Sequence, residues 1–254
     1  MAKVTGPDRS IERSTGPTTT RSFPGAASTP ITKPSAGRVL TALHAGEYGG
    51  NDNLMKILLD LDGVMADLTG GLMRVHNKPW PFGPENRGPD AWYLTNTWEM
   101  SADEMWEPCG FDFWAGLQKT LEADQLYQTL CRHFGQENIC FLTSPVSTAG
   151  CVEGKREWCA RHYPATPILF SASSTARFTP GGPKEFLAGP ERYLIDDNQD
   201  NCKRFEGAGG RAFLWPAWWN DRFEQTHFRM HLLEQEIRHM KHFQEAAEAL
   251  TVKP

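Results

Sequence analysis

Two aspartates two residues apart, Asp60 and Asp62, close the apolar run Met55-Lys56-Ile57-Leu58-Leu59 and are followed by Gly63. Carboxylates at the end of a buried strand can divide a group transfer between them. One attacks phosphorus as a nucleophile, and the other serves the leaving-group oxygen as acid and then as base. Strand alternation alone would send the two to opposite faces, so the strand has to break at Leu61 for both to reach one cleft. Gly63 permits the tight turn that this requires. An isolated D-x-D is more often a solvated turn, so the chemistry needs partners elsewhere in the chain.

Suitable partners follow in order. Thr143 and Ser144 come directly after Ile139-Cys140-Phe141-Leu142 and offer hydroxyl and backbone N–H donors to phosphate oxygens. Lys184 precedes the run Arg192-Tyr193-Leu194-Ile195, which ends in Asp196 and Asp197. With Asp60 and the backbone carbonyl at Asp62, Asp196 and Asp197 can complete an all-oxygen site of the kind Mg2+ prefers. An aspartate approaching a phosphate dianion meets repulsion of several kcal/mol at an effective dielectric of about 20. A divalent cation and a lysine remove that obstacle. Lys155, beyond the second motif, has two readings: a solvated helix face, or a reach to phosphate from near the helix start. On the same stretch, Trp158 reads as a sheet-packing anchor.

These residues need a scaffold that brings strand ends together. Apolar runs at 55–59, 139–142, 167–170, 192–195 and 211–214 alternate with helix-like stretches, notably Cys151 to His162 and Asn198 to Glu206. The alternation predicts an α/β fold, a three-layer, doubly wound, Rossmann-like parallel sheet. Ligands of such sheets bind outside the C-terminal strand ends, which is where Asp60 and Asp62, Thr143 and Ser144, and Asp196 and Asp197 fall. Residues 51–66 and 138–220 would form the core. Residues 67–137 read as a helical cap inserted after the first strand, carrying Trp80, Trp92, Trp98, Trp106 and Trp114. Those rings suit either the cap's own small core or a stacking wall over the site.

Outside the core, residues 1–50 are rich in Ser, Thr, Pro and Gly, and are expected to be a flexible low-complexity tail. An organelle transit peptide is the alternative reading, against which Asp8 and Glu12 count. Residues 221–254 are expected to form one amphipathic helix through Phe223, Met230, Leu233, Ile237, Met240, Phe243, Ala247 and Leu250. It would pack on the sheet or on a partner, of which a second copy of the chain is one candidate. His227 and His231 share a helix face, but no third ligand or H-E-x-x-H accompanies them, so no metal role is assigned.

Composition narrows the function class. The chain has 254 residues, 26 Lys and Arg against 31 Asp and Glu, and a net charge of -5. A binder of nucleic-acid polymers or acidic membranes is usually more basic, whereas a small substrate remains open. No apolar run approaches the ~20 residues that span a bilayer. Six cysteines without C-x-x-C spacing read as ordinary reduced thiols, which places the protein in the cytoplasm.

Taken together, Asp60-Leu61-Asp62-Gly63-Val64, Thr143-Ser144, Lys184 and Asp196-Asp197 resemble the four motifs of the haloacid dehalogenase (HAD) superfamily. Within it, the chain looks most like the 5'(3')-deoxyribonucleotidases, through Gly63-Val64-Met65-Ala66-Asp67, Trp106-Glu107, Gly110-Phe111, Thr143-Ser144-Pro145, Gly154-Lys155-Arg156-Glu157-Trp158 and Leu194-Ile195-Asp196-Asp197. The resemblance implies a Mg2+-dependent phosphatase of nucleoside monophosphates, active in deoxyribonucleotide catabolism. Asp60 would be the nucleophile and Asp62 the acid and base. Asp197 would be the carboxylate ligand of the metal, supported by Asp196, and Thr143 and Lys184 would hold the phosphate. The sugar- and base-contacting positions correspond to Leu68, Trp106 and Gly110. Leu68 stands where an aromatic is common, and the long step from Ser171 to Pro183 makes Arg177 a competitor of Lys184. Two alternatives stay open: the same chemistry on a sugar phosphate or a nucleic-acid end, and a non-catalytic nucleotide-binding protein.

Overall fold

Runs of β-branched and large apolar residues with no polar interruption can only be satisfied where both faces of a strand are covered. The computed structural model, which describes residues 55–171 and 183–251, arranges five such runs in one parallel sheet. They are β1 (Lys56–Leu59), β2 (Ile139–Thr143), β3 (Ile168–Phe170), β4 (Arg192–Asp196) and β5 (Arg211–Leu214). Their order is β3-β2-β1-β4-β5, with β1 in the centre. Register pairs Leu59 with Phe141 on one side and with Ile195 on the other. The chain motifs that end β1, β2 and β4 are therefore carried to one edge. The expected tail over 1–50 and Arg177 lie outside the described residues, as do the side chains of Phe243, Ala247 and Leu250.

Alternation splits the buried side chains into two layers. Ile57, Leu59, Phe141, Tyr193, Ile195 and Phe213 face one side. Leu58, Cys140, Leu142 and Leu194 face the other. Between β1 and β2 the chain forms α1 (Leu68–His76), α2 (Leu94–Thr97), α3 (Ala102–Trp106), α4 (Phe111–Ala115) and α5 (Ala123–Phe134). The remaining helices are α6 (Cys151–His162), α7 (Gln199–Gly207) and α8 (Arg229–Thr251). Leu126 and Leu130 of α5, Trp158 of α6, and Leu233 and Ile237 of α8 fill the first layer. Phe205 of α7 and Leu187 fill the second. This is a doubly wound α/β sheet with helices on both faces. The segment between β1 and β2 is not all cover, because α5 lies against β1 and β2.

Two local boundaries differ from the sequence reading. The C-terminal α-helix begins at Arg229, and Phe223–Phe228 before it is 3-10 in geometry. The Arg87 guanidinium sits 5.0 Å from the centre of the Phe223 ring, at the start of that segment. Strand β2 also runs one residue further, to Thr143, which is fully buried. Among the described residues no helix is long and apolar enough to cross a membrane.

Helices α4 and α6 pack with almost no side chain between them. A Cβ on Gly154 would lie 2.6 Å from Trp114 Cβ and 2.7 Å from the Phe111 carbonyl oxygen. Backbone cannot yield as a flexible side chain can. Gly154→Ala is therefore expected to destabilise the fold by about 1–3 kcal/mol despite its better helix propensity. Urea unfolding checks this, and an unchanged or raised midpoint would refute the close-packing account.

Candidate active site

Strand β1 delivers Asp60 to the sheet edge, where its N–H still pairs with the Ile195 carbonyl at 2.9 Å. The chain then turns sharply. Gly63 has φ +78, its N–H donates to the Ala66 carbonyl at 2.9 Å, and Met65 N–H donates to the Leu61 carbonyl at 2.8 Å. Leu61 is buried, so the turn is anchored from within while Asp60 and Asp62 emerge on either side of it. Segment 118–120 braces the turn from outside, through Asp67 N–H to the Gln118 carbonyl and Thr120 Oγ1 to the Val64 carbonyl.

Each of the two aspartates has its own lysine. Lys184 Nζ donates to Asp60 Oδ1 at 2.6 Å and to Asp196 Oδ2 at 2.7 Å, and is 1% exposed. Lys155 Nζ is ion-paired with Asp62 Oδ2 and donates to Thr143 Oγ1 at 2.8 Å and the Ser144 carbonyl at 3.3 Å. Lys155 is thus deeply buried rather than solvated, and lies 4.9 Å over the Trp114 ring. The helix-face reading fails because α6 turns that position towards the end of β2. Ser171 Oγ donates to Ser144 Oγ at 2.8 Å, which ties β3 to the same edge.

At the end of β4 the two aspartates have different surroundings. Asp196 accepts from Lys184, Asn198 N–H at 2.8 Å and Asn201 Nδ2 at 3.0 Å, so both its oxygens are engaged. It acts as the internal counter-charge of Lys184 and the starter of α7, whose N-cap is Asn198. Asp197 accepts from Trp219 Nε1 through Oδ2 at 2.9 Å. One ligand atom from each of Asp60, Asp196 and Asp197 can be chosen so that all lie within 4.8 Å of one another. These three carboxylates are buried against a single ammonium, an excess of two negative charges.

That excess shows in the proton affinities. Burial, with the Asp196 and Asp62 carboxylates adding to it, pushes Asp60 up to about 7 against the pull of Lys184. Burial and the neighbouring Asp60 and Asp196 carry Asp197 well above the usual carboxylate range. Burial alone would depress Lys184, but Asp196 and Asp60 outweigh it and hold the ammonium above the ordinary lysine range. A divalent cation fits this cluster on two counts: the donors are all oxygen and the charge matches. Asp60, Asp197 and the Asp62 carbonyl are the groups that would hold it.

The other sequence candidates separate. Trp106 stacks on Trp114 at 6.0 Å and 18°, so it reaches Lys155 only through that ring. Gly110 starts α4, and a Cβ there would meet only the Ala149 carbonyl, at 4.0 Å. Leu68 opens α1 and packs on the rim of the core. Trp98 and Trp114 are core residues, whereas Trp80, at 49% exposure, and Phe82 join a ring cluster near Asp197. Sequence reasoning missed Trp219 and Asn220. Both follow β5 on the same sheet edge, and the strand-end rule extended past Trp215-Pro216 would have reached them.

No family model matches the chain, and no curated protein matches it. Similar solved structures exist at low identity. A Bacillus subtilis protein assigned as a HAD hydrolase, bound to magnesium, is 16% identical over 63% of this chain and 85% of its own, with a TM-score of 0.38. A HAD family enzyme of Bacteroides thetaiotaomicron in a magnesium complex is 14% identical over 66% and 96%, with a TM-score of 0.35. A HAD-superfamily hydrolase of Ehrlichia chaffeensis is 12% identical over 70% and 97%, at 0.34.

Three expectations follow from the geometry. Metal binding needs ionised carboxylates, so Mg2+ affinity should rise as pH increases through about 7, with protons released on binding. Calorimetry in buffers of different ionisation enthalpy checks this, and a pH-independent affinity would contradict it. Without metal, the raised Asp60 stabilises the fold below its ordinary value of 3.8 and loses that contribution as pH climbs through about 7. Gly63→Ala would place a Cβ 2.0 Å from Asp197 Oδ2 at a positive φ. Displacing that carboxylate by an ångström is expected to cost on the order of 10²-fold in turnover.

Proposed function

We propose that the chain is a magnesium-dependent phosphatase of the HAD type that removes phosphate from nucleoside monophosphates, deoxyribonucleotides among them. The observation that carries this reading is the buried cluster at the strand ends, in which Lys184 bridges Asp60 and Asp196 and Asp197 lies close enough to share an ion with them, with Asp62 held separately by Lys155. A cluster of that kind is organised for a divalent cation, which in turn can receive a dianionic group.

Lys184 occupies Asp60 Oδ1, so Oδ2 is the oxygen presented to phosphorus for in-line attack. The ester bond breaks as an aspartyl-phosphate forms on Asp60. Asp62, held by Lys155 against Thr143, gives its proton to the leaving oxygen and then takes one from the water that hydrolyses the acyl phosphate. Thr143 and Ser144 donate to the phosphoryl oxygens, and Lys184 offsets their charge. Magnesium, when bound by Asp60, Asp197 and the Asp62 carbonyl, would neutralise the charge that otherwise repels the dianion.

Support for a nucleotide over a bare sugar phosphate comes from the rings beside the cluster. Trp219 contacts Asp197 and packs with Phe82 at 5.0 Å and Trp92 at 6.4 Å, while Trp80 meets Phe82 edge-on at 5.2 Å. Planar apolar faces near a phosphate site suit a nucleobase. A small nucleotide, not a polymer, is the substrate this implies, in keeping with the net charge of -5.

Phosphate release from a panel of nucleotides and sugar phosphates, with and without Mg2+, tests the reading. Deoxyribonucleoside and ribonucleoside monophosphates should be turned over only with the metal. No release from any nucleotide would refute the nucleotidase assignment. Asp60→Asn should remove turnover while the folded protein is retained, and Asp62→Asn should lower kcat by about 10²–10⁴-fold.

A further inference from the structure

We propose that Trp219 is a positioning residue for Asp197, fixing which carboxylate oxygen meets the divalent cation. The inference rests on the reading of Asp197 as a magnesium ligand. The indole N–H is a donor only, and it is spent on Asp197 Oδ2 at 2.9 Å. That leaves Oδ1 as the oxygen for the ion. The next residue grips the same aspartate by its backbone: Asn220 Nδ2 donates to the Asp197 carbonyl at 2.8 Å and to the Trp215 carbonyl at 2.8 Å. Asp197 is therefore held at carbonyl and carboxylate by adjacent residues that lie outside all four motifs.

The indole itself has little freedom. Its Cζ2 would lie 2.9 Å from a Cβ on Gly63, so the ring lies against the turn that carries Asp60 and Asp62. On its other side stand Phe82 and Trp92. The backbone beside it is pinned to the 80s loop, where Gly88 N–H donates to the Trp218 carbonyl at 2.7 Å. A carboxylate aimed by a donor that cannot move needs little rearrangement when the ion arrives.

Two substitutions separate the donor from the ring. Trp219→Phe keeps an aromatic ring and loses the N–H. Trp219→Gln loses the ring but carries its N–H donor the same number of bonds from Cβ. Mg2+ is titrated into wild-type and both variants by isothermal calorimetry, with thermal melts of the metal-free proteins and steady-state kinetics alongside. Trp219→Phe is expected to bind Mg2+ about 10–100-fold more weakly. The Mg2+ concentration for half activation should rise in step with the calorimetric constant. Trp219→Gln should stay within about threefold of wild-type, a difference of under 1 kcal/mol. Wild-type affinity in Trp219→Phe, or equal losses in both variants, would overturn the positioning role and leave only packing. A wild-type protein that binds no Mg2+ would instead overturn the metal assignment of the site, a different outcome from a wild-type that binds and a Phe variant that binds equally well.

Discussion

Three carboxylates buried at the ends of β1 and β4 against one ammonium form the constraint around which the rest is arranged. Charges of one sign are not gathered out of water without compensation, because the interior screens them poorly. Lys184 supplies part of the compensation internally, bridging Asp60 and Asp196. Asp196 spends both oxygens on that lysine and on the first turn of α7, so it belongs to the scaffold. What is left unbalanced is centred on Asp60 and Asp197, where burial raises both proton affinities. A divalent cation is one natural way to settle that balance.

The second lysine gives the site its division of labour. Had Asp60 and Asp62 shared one cation, their roles would be hard to keep apart. Instead the Gly63 turn sends Asp62 towards α6, where Lys155 holds it with Thr143, while Asp60 stays with Lys184. One carboxylate is set in the charged cluster and the other beside the hydroxyl at the end of β2. Asp60 and Asp62 are thereby given different environments from nearly the same point in the chain.

The region after β5 links the core to the segment inserted between β1 and β2. Trp219 touches Asp197, the Gly63 turn, Phe82 and Trp92, and Gly88 bonds the neighbouring carbonyl. A ring cluster on one side and a metal-type carboxylate on the other are thus joined by one residue. Elements separated by more than a hundred positions in the chain share a single small volume, so movement of the 80s loop would be felt at the carboxylate.

The sequence by itself determined the alternating strands and helices, the five parallel runs and the acidic, hydroxyl and cationic residues at three strand ends. Period and strand-end position are local properties, written in adjacent residues such as Ile57 to Asp62. Only the tertiary structure decided the pairing. The sequence leaves Lys155 as either a solvated side chain or a phosphate contact, and α6 buries it against Thr143; it makes Asp196 a support for Asp197, and the fold shows that support as bonds to Asn198, Asn201 and Lys184. Trp219 and Phe223 meet residues of the 80s loop, Phe82 and Arg87. Strand-end position can place Trp219 at the right edge, but which residues distant in the chain it meets there depends on the fold.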